Sequence, residues 1–257
     1  MNLSEIKIRE YLQDFCADMP IIIYNSIDST NTAAKRHADS ESTECAVFIA
    51  NEQTNGRGRM GRSFISECNK GLYLSILLDK KYAKSTALTT YMAVIASEAI
   101  DKIADTKTEI KWVNDIYLGG KKLSGILTEG RMDDDGSLAY AVCGIGINIL
   151  SQNFDSDVKN IATSIEDETG MQADINELAA EIIKRFFSNL SLVGSRDIVA
   201  KYKRRSFLIG KSVNVIRADS TYPATVLDIT DECELLVRRD DGETEYLFTG
   251  EVSLKVK

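Results

Sequence analysis

The chain is poor in histidine, in basic charge and in paired cysteine. His37 is its only histidine in 257 residues, and its five cysteines, at 16, 45, 68, 143 and 233, include no Cys-x-x-Cys pair. Zinc sites draw on several thiolate and imidazole ligands at close spacing, and disulfide frameworks on an even, dense set, so neither is indicated. Scattered thiols in odd number fit a reducing compartment. The 31 Lys and Arg against 39 Asp and Glu leave a formal charge of −8. That balance works against a general coating of DNA or RNA phosphates, and any anion site must be a local basic cluster. Long apolar runs are lacking too: no stretch approaches the ~20 residues of a membrane-spanning helix, and the first 18 residues carry charge throughout. A soluble cytoplasmic protein is expected, with no membrane partner.

What is present reads as one full-sized domain followed by a small one. Residues 2–15 place Leu3, Ile6, Leu12 and Phe15 among charges, the spacing of a short amphipathic helix. A strand at residues 21–24 follows almost at once, which leaves no room for a helix-turn-helix, so DNA binding is not expected. The polar run from Ser26 to Thr32 offers several N-caps for the next helix. Residues 46–50 and 72–78 are apolar runs of strand length, and 84–103 is an Ala-rich helix free of Gly and Pro. Residues 109–118 and 121–131 read as two strands joined by Gly119-Gly120, and 139–150 as another. Asp174 and Glu177 have capping-box spacing ahead of a helix with Ile175, Leu178, Ala179, Ile182, Ile183, Phe186 and Leu190 on one face. The basic stretch 201–205 marks the connection, and five short strand patterns after Phe207 predict a small barrel. The expected fold class is α+β: a mixed β-sheet catalytic domain covered by helices over residues 1–206, with a small C-terminal SH3-like β-barrel over 207–257.

Three segments can carry chemistry. Gln53-Thr54-Asn55-Gly56-Arg57-Gly58-Arg59-Met60-Gly61-Arg62 combines three glycines, which permit tight turns, with three guanidinium forks that suit an anion. The loop also matches G-x-G-x-x-G, with Asp79 at about the distance of a ribose-binding acid. A dinucleotide fold needs a helical crossover of a dozen or more residues, however, and too few separate Gly61 from the next strand.

The second segment is Lys111-Trp112-Val113-Asn114-Asp115 with Lys121-Lys122-Leu123-Ser124-Gly125. Strict alternation sets Lys122 and Ser124 opposite Leu123 and Gly125, so that one lysine points inward and needs an anion; the plainer alternative is a pair of edge-strand charges. In the third, Cys143-Gly144-Ile145-Gly146-Ile147-Asn148-Ile149, alternation gives the isoleucines to the core. Gly144, Gly146 and Asn148 share the other face, a bare patch of sheet for a flat ligand or a close-packed helix.

In this order and spacing, the Gly-Arg-Gly-Arg-x-Gly-Arg loop, Lys-Trp-x-Asn-Asp, Lys-Lys-Leu-Ser-Gly and Gly-Ile-Gly-Ile-Asn resemble the biotin–protein ligases, in the form lacking an N-terminal DNA-binding domain. The resemblance implies an ATP-dependent, AMP-forming ligase that makes biotinyl-5'-adenylate and transfers biotin to a lysine of a biotin carboxyl carrier protein. It implies ATP and biotin as substrates, Mg²⁺, and action as a monomer or weak homodimer. Carried over by position, it places Ser29, Thr30, Asn31, Gln53, Arg57, Gly58, Arg59, Lys122, Gly144 and Gly146 at biotin. Arg59, Arg62, Lys111, Asn114, Asn148, Glu251 and Lys255 fall to the nucleotide, and Asp115 is a candidate Mg²⁺ contact. Lys122, Arg57 and Arg59 are the catalytic set. Val113, Phe64 and Lys255 depart from the usual Pro, Trp and Arg. A lipoate or octanoyl ligase or transferase of the same fold is the alternative; it should lack the arginine loop and the terminal barrel. A non-enzymatic binding module is the other competitor.

Overall fold

A computed structural model describes residues 2–82, 85–152, 156–217, 220–248 and 250–254. In chain order the elements are α1 (Glu5–Leu12), β1 (Ile21–Tyr24), α2 (Thr30–Ser40), β2 (Ala46–Ala50), β3 (Gly71–Asp79), α3 (Ser85–Ala104), β4 (Glu109–Lys111), β5 (Asp115–Leu118), β6 (Lys121–Met132) and β7 (Leu138–Asn148). There follow α4 (Ser156–Lys159), α5 (Ile165–Thr169), α6 (Ile175–Ser188), α7 (Arg196–Arg205), β8 (Ser212–Ile216), β9 (Thr221–Ile229), β10 (Leu235–Arg239), β11 (Thr244–Leu247) and β12 (Glu251–Leu254).

Strands β1 to β7 form one sheet in the order β1-β2-β3-β7-β6-β5-β4. Only the β1–β2 pair is parallel. The central strands are apolar on both faces because both faces are covered. On β3, Leu72, Leu74, Ile76 and Leu78 join Ile145 and Ile147 of β7 in the main core under α3 and α6, whereas Leu77 packs with Ala33 and Ala34 of α2 on the opposite face. The α6 N-terminus is capped as its sequence requires, with Asp174 accepting from the Asn176 amide at 2.8 Å. No helix among the described residues is long and apolar enough to cross a membrane.

Three readings change. In α1 it is Ile8 that is buried, while Ile6 is 73% exposed, because the helix turns its Ile8–Leu12 stripe onto α6. Residues 109–118 are not one strand: the chain reverses at 112–114, so that β4 and β5 pair with each other and Lys111 faces Asp115. The Trp112–Val113 peptide is cis. The C-terminal strands form an antiparallel sheet in the order β11-β10-β9-β8-β12, with no pairing of β11 to β12 among the described residues. The SH3-like module is therefore an open sheet, not a closed barrel. Its apolar residues, Val213, Val226 and Val237 among them, belong to the same core cluster as the large sheet.

Candidate active site

The α2-facing side of the sheet has a floor without side chains. Gly146 of β7 pairs with Gly125 of β6 on one side and Tyr73 of β3 on the other, and Gly144 pairs with Ser75. A Cβ on Gly144 would come within 2.0 Å of Asn31 Oδ1, and one on Gly146 within 2.4 Å of the Phe64 ring. The patch is thus covered by one side chain from the start of α2 and one from the arginine loop.

A chain of hydrogen bonds fixes the α2 end. The Thr30 amide and hydroxyl both reach Gln53 Oε1, at 2.9 and 3.1 Å, and Gln53 Nε2 donates to Ser66 Oγ at 2.9 Å. Ser75 Oγ, fully buried, lies 2.7 Å from Thr30 Oγ1 and 2.6 Å from Asn31 Oδ1. Asn31 Nδ2 donates to Leu127 O at 3.1 Å and to Glu129 Oε2 at 2.8 Å. Glu129 also receives Lys35 at 2.8 Å and Arg57 at 3.1 Å. Burial pushes the Glu129 carboxyl up, but the hydrogen bonds from Lys35 and Asn31 and the neighbouring Lys35 and Arg57 charges outweigh it and hold it below the ordinary carboxylate range.

The arginine loop folds back on itself. Gly58 N donates to Arg62 O at 2.7 Å and Phe64 N to Gly56 O at 2.9 Å. Gly56 is buried where a Cβ would meet Phe64 O at 2.4 Å, so the close backbone approach requires glycine. Arg59 reaches out of the loop to Asn114 Oδ1 at 2.9 Å and to Gly250 O at 3.2 Å, linking the β4–β5 turn to the C-terminal module.

Lys122 is inward, though not by the alternation expected of it. A β-bulge in β6 makes Ile116 pair with Ser124 and Tyr117 with Lys122, leaving Leu123 as the extra residue. The bulge returns Lys122 to the same face as Gly125, whose Cβ would lie 3.5 Å from Lys122 Nζ, and Leu123 and Ser124 are both buried. The Lys122 backbone is held by Ile161 O at 2.8 Å and the Thr163 amide at 2.9 Å. Its ammonium pairs with Asp115 at 2.8 Å.

Two cavities result. One is lined by Arg57, Gly58, Arg59, Arg62, Phe64, Lys111, Trp112, Asn114, Asp115, Lys122, Gly125, Leu127 and Gly250, among others. The other is lined by Ser29, Thr30, Asn31, Gln53, Arg57, Phe64, Gly125, Leu127, Gly144, Ile145 and Gly146. They share Arg57, Phe64, Gly125 and Leu127. Five cationic side chains on the first cavity, in a chain of net charge −8, are the local basic cluster that anion binding requires.

Of the expected site residues, Asn148 is not brought to either cavity; its amide donates to Thr163 O and accepts from Gln152, both at 2.9 Å. Glu251 pairs by its backbone with Ile216, but its side chain and all of Lys255 lie outside the described residues. Glu129 and Ser75 were missed. Counting by twos from Gly125 through Leu127 would have reached Glu129.

Residues 23–148 match the model of the biotin/lipoate A/B protein ligase family, and residues 208–255 that of the biotin protein ligase C terminal domain. The bifunctional ligase/repressor BirA of Bacillus subtilis is 30% identical over 98% of this chain and 79% of its own length. The biotin–[acetyl-CoA-carboxylase] ligase of Paracoccus denitrificans is 28% identical over 88% of this chain and 96% of its own. The biotin protein ligase of Aquifex aeolicus, solved with biotin and ATP, superimposes with a TM-score of 0.79 at 26% identity, covering 93% of this chain and 99% of that one.

Proposed function

Since the chain belongs to the biotin protein ligase family, we propose how its own residues divide the two half-reactions of biotin transfer. The protein activates biotin with ATP to biotinyl-5'-adenylate and passes the biotin to protein. In the first half-reaction the biotin carboxylate attacks the α-phosphate and pyrophosphate leaves. In the second, the ε-amine of a carrier lysine attacks the activated carbonyl, losing a proton as AMP departs. The acceptor is a biotin carboxyl carrier protein.

The observation that carries this reading is the shared wall of the two cavities, where Arg57 serves both and Lys122 stands beside Gly125. Biotin takes the cavity floored by Gly144 and Gly146, its ring system displacing the Phe64 ring that covers Gly146, with Ser29, Thr30, Asn31 and Gln53 around it. The nucleotide takes the cavity of Arg59, Arg62, Lys111 and Asn114, which Gly250 of the C-terminal module also lines. Carboxylate and phosphate then meet at the junction. Two unit anions about 4 Å apart repel by about 4 kcal/mol at an effective dielectric near 20, and Lys122 and Arg57 oppose that repulsion where it is greatest.

No side-chain nucleophile is needed, and positioning supplies the rest. Asp115 lines the nucleotide cavity with its carboxylate paired to Lys122 at 2.8 Å, and it is the acid there that would contact Mg²⁺, which is usually held by one or two carboxylates besides the phosphates and would offset phosphate charge. Purified protein should exchange labelled pyrophosphate into ATP only when biotin is supplied. Exchange with lipoate or octanoate in its place would overturn the assignment of the glycine-floored cavity to biotin.

A further inference from the structure

Glu129 is a carboxylate at the edge of a site built for anions, where an acid by itself would repel the ligand. Its surroundings give it another task. Its oxygens hold Lys35 Nζ at 2.8 Å, Asn31 Nδ2 at 2.8 Å and Arg57 Nη2 at 3.1 Å, so its charge is more than matched and the site stays cationic. Asn31 has both amide hydrogens committed, one to Glu129 and one to Leu127 O, which leaves Oδ1 facing Ser75 and the Gly144 floor. Arg57 is pinned at Nη2 while its Nε is buried with no hydrogen-bond partner, on a side chain that lines both cavities. A buried donor without a partner is costly unless a ligand completes it.

We propose that Glu129 is a positioning residue: it orients Asn31 to present an acceptor, and Arg57 to present its free Nε donor, to the biotin side of the junction. The inference rests on the ligase reading above. The complementary ligand group is a neutral cyclic urea, whose N–H needs an acceptor, joined to a carboxylate, whose oxygens need a donor. Glu129 touches neither and acts through the two side chains it holds.

The test is the kinetics of Glu129→Gln and Glu129→Asp in biotin-dependent ATP–pyrophosphate exchange. Glutamine keeps the shape but turns a donor toward Lys35 and Arg57, and aspartate keeps the charge but is too short to reach all three partners. The expected result is a KM for biotin raised at least five-fold in both, roughly ten-fold in Glu129→Gln. KM for ATP and kcat at saturating biotin should stay within three-fold. In an Arg57→Ala background the effect of Glu129→Gln on KM for biotin should shrink to less than half its size, since a residue that acts through Arg57 is not additive with its loss. A biotin KM raised less than five-fold in both variants would overturn the inference, as would full additivity with Arg57→Ala or a uniform loss in both KM values and kcat with a lowered melting temperature. Absence of biotin-dependent exchange in the parent would remove the ligase reading and this inference together, whereas exchange in the parent with unaltered variants would remove only the inference.

Discussion

Arg59 shows how one side chain can tie distant parts of the sequence into one site. Its guanidinium joins the arginine loop to Asn114 and to the Gly250 carbonyl, so the loop is held from both sides over the cavity proposed for the nucleotide. On the proposed function, a loop so held would act as a lid that keeps a reactive acyl-adenylate from water and stray amines. Arg59→Gly removes both links and adds backbone freedom. It is expected to release biotinyl-adenylate and to label bystander lysines several-fold above the parent, measured on serum albumin mixed with enzyme, biotin and ATP at matched adenylate synthesis. Equal albumin labelling would mean that Arg59 does not retain the intermediate. At this scale the sequence was legible where residue type and spacing coincide, as in the arginine loop and the Gly144–Gly146 pair. Glu129 is legible only by counting two strand positions at a time from Gly125 through Leu127, and the diversion of Asn148 from both cavities is not legible, because its partners Thr163 and Gln152 come from a segment with no periodic signal.

Among the elements, β6 decides the chemistry. Its bulge at Leu123 sends Lys122 to the glycine face, and an unbulged strand would have turned that lysine into the core side with Leu123 replacing it over Gly125. Period-two counting leaves open which lysine points inward and sets Lys122 on the face opposite Gly125, since a bulge leaves no mark in composition. The same limit explains β4 and β5: the apolar residues Ile110, Trp112, Val113, Ile116, Tyr117 and Leu118 read as one strand, and only the hydrogen-bonded register reveals the reversal at 112–114. The floor itself is expected to tolerate no added carbon. Gly146→Ala places a Cβ 2.4 Å from the Phe64 ring, so the ring must leave its place over the floor and the floor rises by a methyl group. Overpacking of this kind costs ~1–3 kcal/mol. Isothermal titration should show biotin binding weakened at least ten-fold with ATP binding little changed; unaltered biotin affinity would mean that the ligand does not lie on Gly146.

For the molecule as a whole, the question is how the small C-terminal sheet serves a site built on the large one. Besides the Arg59–Gly250 contact, Trp112 Nε1 donates to Cys233 O at 2.9 Å, and both sheets contribute to one apolar cluster. The five-strand pattern after Phe207 announced the module, yet its shared core was not legible, because an apolar residue in a strand does not say which sheet it packs against. Truncation before Phe207 is expected to abolish biotin-dependent exchange while a residual biotin affinity remains, since among the described residues the glycine-floored cavity is lined by positions between 29 and 146. It should also lower the melting temperature, because Trp112 loses its partner and its cover. Undiminished exchange in the truncated chain would take the module out of the first half-reaction.

The fold converges on the junction where Arg57 lines both cavities and Lys122 lines one of them, beside the shared Gly125. The most direct measurement is biotin-dependent ATP–pyrophosphate exchange by Lys122→Ala set against Lys121→Ala. Lys122 contributes its ammonium beside Gly125 and Asp115, whereas Lys121 lines neither cavity and its charge acts on Asp167. Loss of a preorganised cation at the point of charge development should cost ~10²–10³ in exchange rate. Lys121→Ala should stay within about three-fold of the parent, the scale of an exposed ion pair. An exchange rate in Lys122→Ala within a few-fold of the parent, or equal losses in the two variants, would contradict the assignment of the junction as the place where biotin and ATP react.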